Sequence, residues 1–143
     1  MCAEYGVEYV EQPLGPAERE ELAFVRGRSE LPIFVDESSV VATDIPGLVG
    51  LVDGINIKLA KCGGPREAIR MIHTARASGL QVMLGCMLET TLGIAPAAHI
   101  APLVDYADLD GAALLKTDPF VGPHLDGGRI VLGDEPGLGV RTA

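Results

Sequence analysis

The sequence predicts an α/β fold in which parallel strands alternate with helices. Short apolar segments and amphipathic segments follow each other regularly, with a repeat of roughly 25 to 30 residues that suits a strand–helix–strand unit. The 18 glycines and 10 prolines supply the frequent turns that this order needs. Both a doubly wound open sheet and part of a (β/α)8 barrel fit the order. A complete barrel needs about 250 residues, so a chain of 143 residues would form only part of one.

Five strands are predicted from short apolar segments that end abruptly at a polar residue, a glycine or a proline. They cover residues 6–11, 31–36, 54–59, 80–85 and 104–110. The first cannot extend past Pro13, because proline has no N–H to donate to a strand ladder. The fifth has the weakest apolar pattern. Each of these strands precedes a turn or a helix, as a parallel sheet requires.

Four helices are predicted between the strands, over residues 16–25, 44–52, 65–78 and 91–100. The third is the clearest, because Pro65 suits a first helical turn and Gly79 suits a helix end. Pro96 is expected either to kink the fourth helix or to mark its true start. The chain is therefore predicted to be a single partial-barrel domain, with β/α units over residues 6–126 and a C-terminal arm over 127–143.

Composition and charge argue against several classes of function. The chain has 11 Lys and Arg residues against 20 Asp and Glu residues, a net charge of −9. Such a protein repels phosphate backbones, which argues against a nucleic-acid partner. No apolar segment reaches the roughly 18–20 residues of a membrane span, and no secretory leader is recognisable. The three cysteines, Cys2, Cys62 and Cys86, fit neither a disulfide framework nor a zinc site and favour a cytoplasmic location.

Ionisable residues recur at the ends of the predicted strands. Glu11 and Asp36 end the first two strands, Lys58 lies near the end of the third, and Asp108 and Asp110 lie on the fifth. The carboxyl ends of parallel strands meet at one edge, where the active sites of such folds lie. Each residue taken alone is equally compatible with capping a helix or facing solvent. As a set, they combine acids for a hard divalent cation with an amine that can move a proton.

Five motifs resemble the C-terminal half of a barrel of the enolase superfamily, in its muconate-lactonizing subgroup. They are Glu11-Gln12-Pro13, Asp36-Glu37-Ser38, Ile55-Asn56-Ile57-Lys58, Lys61-Cys62-Gly63-Gly64 and Gly85-Cys86-Met87-Leu88-Glu89. Asp108-Leu109-Asp110-Gly111 further resembles the dipeptide epimerases. The resemblance covers residues 6–140. It implies strands four to eight of a (β/α)8 barrel, without the N-terminal capping domain of the family.

The resemblance also implies a role for each of these ionisable residues. Glu11 and Asp36 match two ligands of a Mg²⁺ cofactor, and carboxylate oxygens suit this cation. Lys58 matches an acid/base lysine, whose pKa we expect a metal ion and neighbouring cations to lower. Asp108 and Asp110 match the pair that holds the α-ammonium group of a dipeptide. The implied reaction is a 1,1-proton transfer at the α-carbon of a dipeptide carboxylate, through an enediolate.

Two parts of the family pattern have no counterpart in this sequence: a Lys-x-Lys motif on strand two and an aspartate ligand on strand three. We therefore expect the chain to be inactive alone. The missing half is expected as a second polypeptide, and pairing of two copies through open sheet edges is an alternative. An N-acylamino-acid racemase, o-succinylbenzoate synthase or muconate cycloisomerase fragment, and a non-catalytic remnant, are the other hypotheses.

Two residues near these motifs are interpreted as structural. Lys61 begins the segment before the third helix and is predicted to pack or to cap. Cys86 is predicted to be a small buried residue rather than a nucleophile, because no partner base lies near it in sequence.

Overall fold

The computed structural model describes residues 2–143, with side chains from residue 4 onward, so Cys2 lies outside the described side chains. Five parallel strands form one sheet in which each strand pairs with the next along the chain. In order they are β1 (Val10–Glu11), β2 (Ile33–Val35), β3 (Gly54–Lys58), β4 (Gln81–Gly85) and β5 (Tyr106–Ala107). A doubly wound sheet reverses its strand order at a switch point. The strictly sequential order therefore identifies a curled part of a (β/α)8 barrel, the second of the two predicted architectures.

Helices fill the connections between these strands. They are α1 (Arg19–Arg26), α2 (Leu59–Cys62), α3 (Pro65–Ala77) and α4 (Thr91–Ile100). Short 3₁₀ helices cover Cys2–Tyr5, Ala42–Leu48, Ala101–Leu103 and Gly111–Leu114. α3 packs against β3, β4 and the second of these 3₁₀ helices. None of the helices between residues 2 and 143 has the length and apolar character that a bilayer crossing requires.

α3 shows how the sequence specifies a helix in this fold. Pro65 occupies the first turn, where its missing N–H removes no intrahelical bond. Gly79, just beyond the C-cap Ser78, adopts a φ of 74°, which a glycine reaches without strain. One face of the helix is buried, through Ala68, Met71, Ile72 and Ala75. This spacing follows the helical period, so packing against the sheet stabilises the helix.

The prediction of elements is most accurate in the middle of the chain. α4 spans the predicted residues, and Pro96 lies inside it rather than at its start. The helix predicted over residues 44–52 is instead the 3₁₀ helix Ala42–Leu48, which contains Pro46. β1 and β5 are shorter than predicted, because only two residues of each pair with a neighbouring strand. These are the edge strands, so the partner on one side alone decides their length.

An aromatic layer lies across one face of the sheet. The ring centroid of Tyr9 is 4.9 Å from that of Phe34 and 5.1 Å from that of Tyr106. Gly54 makes this layer possible, because a side chain there would collide with the Phe34 ring. Side chains two residues apart on a strand share a face. The next residues along the same face therefore stand above this layer, at the carboxyl ends of the strands.

The C-terminal part of the chain forms two small antiparallel sheets. β6 (Phe120–Val121) pairs with β9 (Arg141–Thr142), and β7 (His124–Asp126) forms a hairpin with β8 (Arg129–Val131). Asp118 connects this region to the barrel, because its Oδ2 accepts a 2.6 Å hydrogen bond from the N–H of Thr91, the first residue of α4. The N-terminal N–H groups of a helix need such acceptors.

The amino ends of the strands carry two matching Arg–Asp pairs. Arg26 donates to Asp53 Oδ1 from Nε and Nη2, at 3.0 and 2.8 Å, and the N–H of the first residue of β2 donates to Asp53 Oδ2. Arg76 donates from Nη1 to both oxygens of Asp105, and the N–H of the second residue of β4 donates to Asp105 Oδ2. In both pairs an arginine from the last turn of a helix and a strand N–H share one aspartate.

Candidate functional site

Three of the predicted site residues meet at the carboxyl ends of adjacent strands. Lys58, the last residue of β3, places its Nζ 2.7 Å from Asp36 Oδ2 and 3.6 Å from Glu11 Oε1. Glu11 ends β1, and Asp36 directly follows β2. The Asp36 side chain is only 5% exposed. A carboxylate this deeply buried needs a positive partner, which the ammonium group of Lys58 supplies.

Lys61 joins the same cluster, so its interpretation as a packing or capping residue is wrong. Its Nζ donates to Asp36 Oδ2 at 2.6 Å and to Glu37 Oε1 at 2.7 Å. The reason is local geometry. α2 begins immediately after Lys58, and one helical turn brings residue 61 back over residue 58. The three-residue spacing of the lysines, combined with a helix starting between them, was the available sequence signal.

The carboxylates of this cluster control the protonation of its lysines. Burial alone would lower the pKa of Lys58, but the hydrogen bond to Asp36 and the charges of Asp36 and Glu11 outweigh it and raise that pKa. Lys61 behaves in the same way, with burial outweighed by its bonds to Asp36 and Glu37. The hydrogen bond from Lys61 in turn lowers the pKa of Glu37. The charge of Lys61 lowers the pKa of Lys58, as expected of a neighbouring cation, but the carboxylates outweigh it. The lowering expected from a bound metal ion stays a prediction.

Asn56 holds the carboxylate of Glu11 through a side-chain hydrogen bond. It lies two residues before Lys58 on the same face of β3, is 1% exposed, and donates from Nδ2 to Glu11 Oε1 at 2.7 Å. Its Oδ1 has no hydrogen-bond partner among the described residues. Gly85 leaves room for this amide, since a Cβ there would lie 2.7 Å from Oδ1 and 3.1 Å from the Cε of Lys58. Sequence reasoning quoted Asn56 within a motif without giving it a role.

Gln12 is a second residue that sequence reasoning left without a role. Its backbone has a φ of 41°, in the left-handed region that favours glycine. Its Oε1 accepts from the N–H of Asp36 at 2.8 Å and of Ser38 at 3.3 Å. Its Nε2 donates to Ser38 Oγ at 3.0 Å and to the carbonyl of Leu14 at 2.6 Å. Neither composition nor spacing signals such a backbone conformation.

Asp108 and Asp110 lie just past the end of β5, at the same rim of the sheet but apart from Lys58. Both aspartates are exposed, while Leu109 between them is 5% exposed and packs against the core. Burial raises the pKa of the Cys86 thiol, and the charges of both aspartates raise it further. Cys86 directly follows β4, and Leu84 of β4 pairs with Ala107 of β5, so Cys86 and Asp108 follow the ends of neighbouring strands. No hydrogen bond or ion pair joins these two aspartates to Lys58.

The acidic residues supply part of the coordination that a hard divalent cation needs. Glu11 and Asp36 offer carboxylate oxygens, the ligand type that Mg²⁺ prefers. Both carboxylates lie close to the Nζ of Lys58, so they are near each other. Across residues 4–143, no three His, Cys, Asp or Glu side chains gather closely enough to hold a metal ion by themselves. The donor chemistry therefore fits such a cation, while the described residues provide an incomplete set of ligands.

A sequential parallel half-barrel with acids and amines at the carboxyl ends of its strands defines the class of this protein. It is part of a (β/α)8 barrel, a fold whose active sites generally lie at the carboxyl ends of the strands. The chain belongs to the enolase C-terminal domain-like family, whose model matches residues 1–143. The predicted fold and superfamily are thereby confirmed.

The relatives of the chain include several epimerases. It is 45% identical to an L-Ala-D/L-Glu epimerase of Bacteroides thetaiotaomicron, over 96% of its own length and 36% of that protein. It is also 45% identical to a hydrophobic dipeptide epimerase of Roseobacter litoralis, over 40% of that protein. The chain also superposes on a solved structure of a dipeptide epimerase from Enterococcus faecalis, which is complexed with Mg and the dipeptide L-Leu-L-Tyr. The TM-score is 0.89 and the sequence identity is 40%. The superposition covers 97% of this chain and 42% of that chain. The chain thus spans about two-fifths of the length of these relatives.

Proposed function

We propose that this chain forms the part of a dipeptide epimerase that carries one acid/base lysine and two of the carboxylates for a divalent cation. The observation that supports this most is the contact of Lys58 Nζ with both Glu11 and Asp36, three residues from three separate strands. Identities of 45% with two epimerases of dipeptides support a dipeptide as the class of substrate. The predicted reaction is a 1,1-proton transfer at the α-carbon of a dipeptide carboxylate.

Glu11 and Asp36 would hold Mg²⁺ in this proposal. When bound, the ion would stabilise negative charge on the substrate carboxylate as the α-proton leaves. Lys58 would accept or return that proton on one face of the α-carbon. To act as a base, Lys58 has to lose a proton first. Asp36 and Glu11 raise its pKa, so the base form becomes accessible only when the negative charge of these carboxylates is engaged by another group.

Asp108 and Asp110 would bind the free α-ammonium group of the dipeptide. Both residues are exposed, so their carboxylates are accessible to a ligand. Two carboxylates around one ammonium form charge-assisted hydrogen bonds and disfavour substrates whose nitrogen is acylated. This distinguishes a dipeptide epimerase from an N-acylamino-acid racemase. In the chain mixed with the complementing segment described below, we expect Asp110→Asn to weaken use of a dipeptide such as L-Ala-L-Glu strongly and to leave the weak use of its N-acetyl derivative unchanged. Equal effects on both compounds would favour the racemase alternative.

Epimerisation needs a second acid/base group on the opposite face of the α-carbon. We propose that this group, and the remaining cation ligand, belong to a further segment that completes the barrel, because the chain spans only about two-fifths of its relatives. On this proposal the 143-residue chain is inactive by itself. Its cytoplasmic location and its pairing with a second copy stay predictions.

A complementation assay tests the proposal. The chain is mixed with Mg²⁺ and the segment of the Bacteroides thetaiotaomicron relative that it does not match, and conversion of L-Ala-L-Glu into L-Ala-D-Glu is followed by NMR. We expect epimerisation in the mixture, none with either part alone, and none with Lys58→Met. Lys116→Met is the matched control, because Lys116 lies outside the cluster. Epimerisation that survives Lys58→Met would disprove the assigned role.

A further inference from the structure

We propose that Gln12 is a positioning residue that sets the spacing between Glu11 and Asp36. This inference rests on the proposed function of these two carboxylates as cation ligands. Glu11 directly precedes Gln12 in the chain, and the N–H of Asp36 donates to Gln12 Oε1 at 2.8 Å. One side-chain amide therefore connects the end of β1 to the end of β2, at the two residues that would share an ion.

The backbone of Gln12 adopts a left-handed conformation that a residue with a side chain disfavours. Its φ of 41° is the only positive φ of a non-glycine residue in the described part of the chain. A side chain with a Cβ disfavours this region, and the following Pro13 restricts the residue before it further. Such a conformation persists only where the surrounding structure imposes it, and it clusters at functional sites. A glycine at position 12 would adopt this φ without strain, but it would lack the side-chain amide that forms these hydrogen bonds.

The side chain of Gln12 uses all of its hydrogen-bonding groups on the neighbouring strand end and loop. Oε1 accepts from the backbone N–H groups of Asp36 and Ser38, and Nε2 donates to Ser38 Oγ and the Leu14 carbonyl. The backbone N–H of Gln12 also donates to the Phe34 carbonyl at 2.9 Å. The left-handed backbone turns the side chain toward β2, which a regular strand end would not do.

These contacts act on the carboxylates through the backbone. Gln12 touches neither carboxylate oxygen, so its bonds do not compete with an ion for those oxygens. Residues behind the ligands of a metal typically change its affinity by 10- to 100-fold when mutated. A merely structural brace would change stability and leave the affinity of the folded protein for a cation unchanged. The two roles are therefore separable by experiment.

Terbium(III) serves as the probe, because it is a hard cation that binds carboxylate oxygens and emits when a nearby tyrosine is excited. Tyr9 lies two residues before Glu11 on the same face of β1, in position to sensitise the ion. The dissociation constant for Tb³⁺ is measured on the full chain, with Mg²⁺ as competitor. Glu11→Gln and Asp36→Asn establish that the emission arises from these two carboxylates.

The decisive variants are Gln12→Gly and Gln12→Ala, with Gln81→Ala as the matched control at the exposed start of β4. We expect both Gln12 variants to raise the dissociation constant for Tb³⁺ by about 10- to 100-fold, and the control to leave it unchanged. Both variants lose the side-chain hydrogen bonds, but Gln12→Ala should lower the melting temperature more than Gln12→Gly, because glycine accepts a positive φ without strain.

Each other outcome has a defined meaning. If Gln12→Gly binds Tb³⁺ as tightly as the unchanged chain, the positioning role is disproved while the ligand assignment stands. If the unchanged chain shows no sensitised emission, or if Glu11→Gln and Asp36→Asn bind as it does, the assignment of the two carboxylates falls and the role of Gln12 falls with it. Failure of the inference alone is therefore distinguishable from failure of the proposed function.

Discussion

The two ends of the sheet both carry buried or half-buried acids paired with bases, but they are built differently. At the amino ends, Asp53 and Asp105 each bind one arginine and one strand N–H. At the carboxyl ends, a single oxygen of Asp36 accepts from two lysine ammonium groups, at 2.7 and 2.6 Å. The first arrangement neutralises each charge with one partner. The second concentrates two positive charges on one carboxylate oxygen, and the nearby Asn56 Oδ1 finds no hydrogen-bond partner among the described residues.

The difference separates stability from function within one fold. Arginine stays charged and holds carboxylates in a fixed fork, which suits a permanent structural link. Lysine changes protonation more readily, and its compact ammonium group is available to a substrate. In (β/α)8 barrels generally, polar residues at the carboxyl ends of the strands take part in chemistry, and polar residues at the amino ends contribute to stability. Four changes, in order of decreasing expected effect, test this division.

Gly85→Ala should cause the largest loss, because it acts inside the carboxyl-end cluster. The new Cβ would lie 2.7 Å from Asn56 Oδ1, 2.9 Å from its Nδ2 and 3.1 Å from Lys58 Cε. Overpacking of this kind costs about 1–3 kcal/mol of unfolding free energy, measured by urea denaturation. It should also weaken Tb³⁺ binding, because Asn56 holds Glu11. Gly133→Ala is the control, since its Cβ would meet nothing closer than 4.0 Å, and a change of equal size there would contradict the explanation.

Asp105→Ala should destabilise the protein without affecting the carboxyl-end cluster. The change removes the acceptor of the Val82 N–H, and Val82 is fully buried in β4. An unsatisfied buried N–H costs about 1–3 kcal/mol, again measured by urea denaturation. The dissociation constant for Tb³⁺ should stay unchanged. The exposed Asp134→Ala serves as the control, and loss of Tb³⁺ binding in Asp105→Ala would show that the two ends are coupled.

Alkaline pH should weaken the carboxyl-end cluster and spare the arginine pairs. The pKa values of Lys58 and Lys61 are raised in the folded protein. Their stabilisation is therefore fully present below the unfolded-state pKa of about 10.4 and is lost as the pH rises through their folded pKa. Urea denaturation over a range of about one pH unit on either side of that value measures the loss.

The double variant Lys58→Met/Lys61→Met is the control for this pH dependence. It lacks both titrating amines, so its stability should fall less over the same alkaline range. Tyrosine ionisation affects both proteins equally and cancels in the comparison. An identical decline in the two proteins would assign the alkaline loss to groups outside the cluster.

Arg26→Met should have the smallest effect of the four. The side chains of Arg26 and Asp53 are 38% and 30% exposed, and exposed ion pairs contribute about 0.2–1 kcal/mol. The N–H of the first residue of β2 keeps its acceptor on Asp53. Urea denaturation of Arg26→Met beside Asp53→Ala measures the division between the two contacts. A larger loss from the arginine change would mean that the guanidinium, rather than the strand N–H, is the main stabilising contact at this end.

Much of the fold was predictable because its signals are local. Pro65 and Gly79 bound α3, and the apolar runs of β3 and β4 end where the structure ends them, within a residue or two. The lengths of the edge strands were harder to predict. Tyr106–Ala107 is a short strand because only Met83 and Leu84 pair with it, a fact of tertiary pairing that no local pattern contains. The helix predicted over residues 44–52 is a 3₁₀ helix over Ala42–Leu48 in the structure.

The candidate site was predictable in its members but not in its connections. Glu11, Asp36 and Lys58 follow from the rule that strand ends meet at one rim, and the structure brings them together. Lys61 was misjudged because the start of α2 at residue 59 was not foreseen. Gln12 and Asn56 were missed because their roles depend on partners 24 and 45 residues away.

Residue order alone determined the alternation of strands and helices, the acidic surface and the identity of the groups at each strand end. These depend on periodicity and on turn-forming residues, which act over a few neighbours in the chain. The tertiary structure decided which groups touch: that Asp36 receives two lysines, that Asn56 holds Glu11, and that Gln12 adopts a left-handed backbone to reach β2. Such contacts join distant segments, so packing of the whole sheet, rather than any local preference, selects them.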